Sequence, residues 1–197
     1  NGFFLKKGGL EICRKGDDAR WEELKRKVGS GKAFGTNVRL ISAAEAKEKF
    51  PLLDEESLMG AMWDPDAGLV IPRSQDVVSF AVESAKDKGA LKTFTDTPAI
   101  DFEVENERVT GVKTDKGFIK ADKVVICSGI WGPLMGKKAG VPVPLMPLEH
   151  PLLFFGPLPE AQGAEDFLLY PLLRDQGNSV YVRDTGRLHG GLLEWGF

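Results

Sequence analysis

Three side chains in the last third of the chain have the chemistry of a small-molecule site. His150 can take up and release a proton near neutral pH. The phenol of Tyr181 can donate a hydrogen bond to a ligand oxygen. Arg183 shares a strand face with Tyr181 by its spacing, and it can bind a carboxylate bidentately. Each also has a structural interpretation: a histidine at a strand end, a half-buried tyrosine and a solvated arginine. His189 is interpreted as structural.

A second candidate site follows a short apolar run in the middle of the chain. Val124–Cys127 is preceded by charge and closed by Ser128 and Gly129, which is typical of a strand buried on both faces. Such strands belong to parallel α/β sheets, whose ligands bind beyond the carboxyl ends of the strands. Gly129 lets a ligand approach the backbone, and Trp131 offers a flat apolar wall. Core packing explains Trp131 equally well.

The elements that position these residues predict an α/β (α+β) fold in three segments. Residues 1–90 carry mixed strands and helices, and residues 91–140 carry a β-meander within part of a nucleotide-binding layer. Residues 141–197 form a mostly antiparallel sheet. The meander is expected to lead into Val124–Cys127.

Turn and cap residues predict the individual elements. They are a helix from Asp17 or Asp18 to about Val28, ended by Gly29-Ser30-Gly31; a capping box of Ser42 and Glu45; a helix opened by Ser74 or Asp76 and ended by Gly89; a strand at Leu91–Phe94; a hairpin of Thr97–Glu105 with Arg108–Thr114; and a turn at Arg174–Gly177.

Composition excludes several partners. The net charge is −3 and no basic stripe is interleaved with aromatic residues, so nucleic acid is not expected. No apolar run approaches the roughly 20 residues that span a bilayer, so no membrane partner is expected.

Cys13 and Cys127 lie in apolar, strand-like runs and are predicted to be reduced core thiols, which indicates a reducing, cytoplasmic compartment. Because the chain begins at Asn1 without Met and stops in an apolar run, we expect a piece of a longer protein.

Motifs of other reaction classes are missing. No His/Cys cluster has metal-ligand spacing, so no metal is predicted. No G-x-S-x-G supports a serine nucleophile, and the carboxylates form no catalytic pair, since Asp64 and Asp66 belong to a turn. No G-x-G-x-x-G stands at a strand–helix junction.

Several segments, in this order and spacing, resemble the D-amino-acid-oxidase-like flavoproteins. Within them the chain is most similar to the N-methylglycine group of dimethylglycine oxidase and dehydrogenase and sarcosine dehydrogenase. The matching segments are Phe50-Pro51-Leu52-Leu53, Asp66-Ala67-Gly68-Leu69, Arg108–Thr114, Ala121–Val125, Gly129-Ile130-Trp131-Gly132 and Pro144–His150.

The resemblance implies FAD in a Rossmann-like layer and an amine substrate under an antiparallel sheet. The chain would be the middle of such a protein. The phosphate loop and a flavin-attachment histidine would precede Asn1, and a further FAD-binding stretch and a folate-binding domain would follow Phe197.

The resemblance also assigns site residues. His150 falls where the family has its active-site histidine, and Tyr181 matches a tyrosine that faces the flavin. The backbone of Ala99 matches a contact to the adenine end. Ser128, Gly129 and Trp131 should run near the FAD.

The implied function is oxidative demethylation of an N-methylated amino acid, by hydride transfer from the N-methyl carbon to flavin. Two alternatives stay open: a flavoprotein-like binding or scaffold subunit without catalysis, and an oxidase of glycine or another amino acid. A eukaryotic protein of this kind would be expected in the mitochondrial matrix.

Overall fold

The computed structural model describes residues 4–71 and 73–197, and the chain divides into two compact units. The first unit joins Asn1–Phe80 with His150–Phe197, and the second is Ala81–Glu149. Both contain helices and strands, which confirms the α/β (α+β) class. The sequence-based segments 1–90, 91–140 and 141–197 stay predictions, whereas the observed units break after residues 80 and 149.

The elements are numbered in chain order. The strands are β1 (Phe4–Lys6), β2 (Gly9–Arg14), β3 (Arg39–Ile41), β4 (Leu58–Asp64), β5 (Gly68–Val70), β6 (Ala99–Glu105), β7 (Arg108–Thr114), β8 (Gly117–Lys120), β9 (Leu152–Phe155), β10 (Leu172–Asp175), β11 (Val180–Asp184) and β12 (Leu193–Gly196). The α-helices are α1 (Asp18–Ala33), α2 (Ala43–Lys49), α3 (Ser74–Asp87) and α4 (Gly132–Lys138).

A seven-stranded sheet forms the centre of the first unit, in the order β3-β4-β2-β10-β11-β12-β9. Neighbouring strands run antiparallel except β2 and β10, which run parallel. The predicted mostly antiparallel character of the sheet is therefore confirmed, and three of the seven strands come from residues 9–64. In the same unit β1 and β5 form a separate antiparallel pair.

The main hydrophobic cluster of the first unit lies on one face of this sheet. Alternate residues of the central strands β2, β10 and β11 contribute to it, and the cluster contains Leu10, Ile12, Ile41, Ala46, Phe50, Leu53, Leu58, Ala61, Leu173 and Val182. Burying each large apolar side chain contributes roughly 1.5–3 kcal/mol, so this face determines the register of the sheet. Residues of the other parity, among them Tyr181 and Arg183, consequently point to the opposite face.

Helix α1 begins as predicted and ends later. The Asp17 carboxylate accepts a hydrogen bond from the Arg20 N–H at 3.0 Å. The helix continues to Ala33, so the predicted stop at Gly29-Ser30-Gly31 is wrong. A Cβ atom at residue 31 would overlap the side chains of Val38 and Thr36. Gly31 is therefore a packing residue inside the helix. The capping box of Ser42 and Glu45 at α2 is confirmed.

The second unit contains the predicted meander. Strands β6, β7 and β8 form an antiparallel sheet in that order. The β6–β7 turn uses Asn106 and Glu107 with φ of 50° and 61°, as a tight hairpin turn requires. The predicted helix end at Gly89 is also confirmed, with φ of +66°. The predicted strand at Leu91–Phe94 is wrong, because these residues pair with no strand in the described part of the chain.

The buried strand predicted at Val124–Cys127 is also wrong. No residue of this run is in a strand, and Val125 is 81% exposed. A strand needs neighbours for its N–H and C=O groups, and no strand among residues 4–71 and 73–197 pairs with this run. Cys127 is exposed while Cys13 is buried, so the prediction of a core thiol holds only for Cys13.

Candidate functional site

His150 and Tyr181 lie side by side in the first unit. Their ring centroids are 5.9 Å apart, and the ring planes are inclined by 27° in a stacked arrangement. Strand β12 lies between β9 and β11, and its Gly196 pairs with Leu152 on one side and Tyr181 on the other. The strand register thus brings together two side chains that are far apart in the sequence.

Gly196 leaves room for this contact. A Cβ atom at that position would overlap the ring carbon and hydroxyl of Tyr181. The next residue, Phe197, donates a long backbone hydrogen bond of 3.4 Å to the carbonyl of Pro151. The segment that carries His150 is thereby tied to the end of β12.

A cavity of about 250 Å³ adjoins the two rings. It is lined by His150, Arg174, Gln176, Ser179, Val180, Tyr181 and Phe197. Apolar rings combined with a few convergent polar groups are the usual composition of a small-molecule site. A larger depression of about 570 Å³ lies on the meander, but neither histidine nor tyrosine lines it.

The predicted substrate-binding residue Arg183 already holds a carboxylate. Its Nε and Nη2 atoms donate to Oε2 of Glu194 at 2.9 and 2.5 Å. Glu194 is the cross-strand partner of Arg183 and is only 8% exposed. Arg183 is also absent from the lining of the cavity beside Tyr181. Its role toward a substrate stays a prediction.

Three polar residues of this cavity were not predicted: Arg174, Gln176 and Ser179. The predicted turn at Arg174–Gly177 is partly wrong, because β10 runs to Asp175 and a single helical turn covers Gln176–Asn178. Counting back across the hairpin from Tyr181 would have identified Arg174 as its cross-strand partner.

The residues expected at a cofactor lie in the second unit. Ser128, Gly129 and Trp131 form one helical turn, in which the Trp131 N–H donates to the Ser128 carbonyl at 3.1 Å. Gly129 has φ of +54° with open space around its Cα, and Trp131 is 62% exposed rather than core-packed. Ala99 begins β6 and is paired with Thr114.

The hydroxyl of Ser128 allows a test of fit to a cofactor. Its Oγ atom is buried without a hydrogen-bond partner in the described part of the chain. Such a group costs free energy unless a partner is supplied. An unsatisfied hydroxyl beside an open glycine and an exposed indole matches the polar and aromatic character of a dinucleotide.

The described residues offer no metal site and no membrane-spanning helix. Within 4–71 and 73–197, no group of three or more His, Cys, Asp or Glu side chains is arranged to hold a metal ion. Among the described helices, none combines the length and apolarity that a bilayer crossing demands.

Comparisons with known proteins agree with the resemblance. The family model described as "DAO: FAD dependent oxidoreductase" matches residues 2–194. Mitochondrial sarcosine dehydrogenase of Homo sapiens is 31% identical over 193 residues, which cover 93% of this chain and 19% of the relative. The mitochondrial pyruvate dehydrogenase phosphatase regulatory subunit of Mus musculus is 29% identical over 98% of this chain and 21% of its own length.

A solved structure is similar over nearly the whole chain. L-proline dehydrogenase from P. horikoshii superposes with a TM-score of 0.78 at 30% identity, covering 98% of this chain and 49% of that one. The chain thus spans about a fifth of the length of these curated relatives and about half of this structure.

Proposed function

Since the chain belongs to the FAD-dependent oxidoreductase family, we propose that the complete protein oxidises a small N-methylated amino acid such as sarcosine or dimethylglycine. The stacked pair of His150 and Tyr181 beside a cavity of about 250 Å³ is the observation that carries this proposal. The similarity to human sarcosine dehydrogenase supports the substrate class.

Such a reaction requires the substrate amine in its neutral, unprotonated form. Loss of hydride from the N-methyl carbon needs the nitrogen lone pair, which a protonated amine lacks. Bound flavin supplies the hydride acceptor. Loss of the hydride leaves an iminium ion. Water then adds to the carbon of this ion, and formaldehyde and the demethylated amine are released.

His150 has the chemistry to hold the proton that the amine gives up, because an imidazole exchanges protons near neutral pH. Tyr181 limits the positions of the imidazole by stacking on it, and its hydroxyl can orient a bound substrate. Tyr181 also stays the residue predicted to face the cofactor.

The cofactor would be held by residues of the second unit. We propose that Ser128 supplies a hydroxyl, Gly129 a close backbone approach and Trp131 an apolar surface. Ala99 would contribute its backbone. The unsatisfied Ser128 Oγ supports this assignment. A folate-binding domain and a mitochondrial or cytoplasmic location stay predictions.

The test is anaerobic mixing of the complete, flavin-containing protein with sarcosine, dimethylglycine, glycine or L-proline. We expect the two N-methylated glycines to bleach the flavin absorbance fastest. His150→Asn should slow bleaching by roughly 10²-fold, the usual scale for losing a general acid or base, with flavin content unchanged.

His189→Asn is the matched control, because His189 contacts the Phe154 ring edge-on and does not line the cavity. It should bleach at the normal rate. The proposal is wrong if no N-methylated amino acid reduces the flavin, or if His150→Asn is as fast as the unaltered protein.

A regulatory or binding role is the second candidate. The similarity to a pyruvate dehydrogenase phosphatase regulatory subunit over 98% of the chain favours it. A protein of this kind would leave its flavin oxidised with all four amines. Faster reduction by L-proline would instead indicate the activity named for the P. horikoshii structure.

A further inference from the structure

Among the described residues that line the cavity beside His150 and Tyr181, Arg174 is the one with a guanidinium or ammonium group. It is the direct cross-strand partner of Tyr181 in the β10–β11 pair. Directly paired residues point to the same face of a sheet with their Cβ atoms about 4.5–5.5 Å apart. The guanidinium of Arg174 and the phenol of Tyr181 therefore line the same cavity.

Arg174 is exposed, and among the described residues its side chain forms neither a hydrogen bond nor an ion pair. Two carboxylates lie near it in the sheet, and both have other partners. Glu11, its neighbour on β2, is paired with Lys27 and Arg20. Asp175, the next residue, has the opposite parity and accepts hydrogen bonds from Arg14 and Asn178.

Arg183 lacks this freedom. Its guanidinium neutralises Glu194, whose side chain is only 11% exposed. Drawing Arg183 toward a substrate would leave a buried carboxylate without its partner, which is strongly unfavourable. Of the two arginines, only Arg174 is therefore available to a ligand carboxylate that enters the cavity.

From this contrast we infer that Arg174, rather than Arg183, binds the carboxylate of the substrate and selects amino acids over simple amines. Arg suits this task because its planar fork donates two parallel hydrogen bonds to one carboxylate. The amide of Gln176 and the hydroxyl of Ser179 line the same cavity and extend the polar side of the site. The inference rests on the proposed function.

Trimethylglycine and choline form a matched pair of probes. Both have a quaternary nitrogen without a lone pair, so neither can be oxidised by the proposed route. Only trimethylglycine has a carboxylate. Calorimetric titration of the complete, flavin-containing protein with each probe therefore measures carboxylate recognition independently of turnover.

Arg174→Gln should weaken trimethylglycine binding by about 10- to 100-fold, the scale of losing hydrogen bonds to a charged group, without weakening choline binding. Arg174→Lys, which retains the charge without the fork, should show a smaller loss. Arg39→Gln is the charge-matched control, because Arg39 lies on the far edge strand β3 and pairs with Glu45. The Arg39→Gln variant should bind trimethylglycine and choline as tightly as the unaltered protein does.

Arg183→Gln separates the two arginines. This variant should lower the thermal midpoint by unpairing Glu194, yet retain the preference for trimethylglycine over choline. The inference is overturned if the preference disappears in Arg183→Gln and survives in Arg174→Gln. If Arg174→Gln does not fold, the Lys variant decides, and unchanged trimethylglycine binding in it overturns the inference.

Failure of the proposed function has a different signature. In that case no N-methylated amino acid reduces the flavin of the unaltered protein, whatever its arginines bind. If sarcosine reduces the flavin and both Arg174 variants bind trimethylglycine normally, only the assignment of Arg174 is wrong.

Discussion

The ring of Tyr181 occupies the space that a Cβ atom of residue 196 would take, and Gly196 leaves that space open. The missing side chain in β12 thereby leaves room for Tyr181 of β11 to stack on His150, which precedes β9. The stacked pair thus depends on a residue that has no side chain. This relationship can be tested without changing either ring.

Gly196→Ala should displace the Tyr181 ring and disturb its stacking on His150. Because displacements of about 1 Å in an active site can cost up to 10²-fold in rate, we expect flavin reduction by sarcosine to slow at least about tenfold. Overpacking should also cost about 1–3 kcal/mol of stability. A variant with normal reduction kinetics would show that the contact has no role in positioning.

Two glycines of α1 should respond to alanine in opposite directions. A Cβ atom at residue 29 meets nothing within 4 Å, so Gly29→Ala should raise the free energy of unfolding by about 0.5–1 kcal/mol. Gly31→Ala should lower it, because the new methyl group overlaps Val38 and Thr36. Urea unfolding of the 197-residue chain measures both. Equal shifts in the two variants would contradict the packing role of Gly31.

Asp184 is predicted to be a structural carboxylate. It is fully buried and accepts backbone hydrogen bonds from Leu169 at 2.8 Å, Tyr170 at 2.9 Å and Gly186 at 3.0 Å. Asp184→Ala leaves these donors without an acceptor, and each buried orphan costs roughly 1–3 kcal/mol, so we expect a loss of about 3 kcal/mol or more.

Asp184→Asn is the matched variant, because its amide retains one acceptor oxygen. It should lose less stability than Asp184→Ala in the same urea titration. An alanine variant as stable as the unaltered chain would mean that water or a rearranged loop satisfies the three N–H groups.

The two cysteines should differ in reactivity. Burial raises the pKa of the Cys13 thiol above its ordinary value, and the charge of Asp17 adds to the shift. Only the thiolate reacts, so raising the pKa lowers the reactive fraction at neutral pH. A thiol reagent should label exposed Cys127 in the folded chain and both residues in urea. Labelling of Cys13 at a similar rate in the folded chain would contradict its burial.

Elements built from local contacts could be predicted from the sequence. The capping box of Ser42 and Glu45 and the hairpin turn at Asn106 and Glu107 each depend on residues within three positions of one another. The family was also indicated, because order and spacing of short segments are properties of the chain alone. His150 and Tyr181 were predicted as site residues in this way, and their roles stay predictions.

What the tertiary structure decided depends on pairing between distant residues. Val124–Cys127 has the composition of a buried strand but no strand to pair with in the described chain, so composition alone misled. The availability of Arg174 and the engagement of Arg183 follow from cross-strand partners, Tyr181 for one and Glu194 for the other. A charge becomes available to a ligand only when its neighbours leave it unpaired, and the folded sheet determines those neighbours.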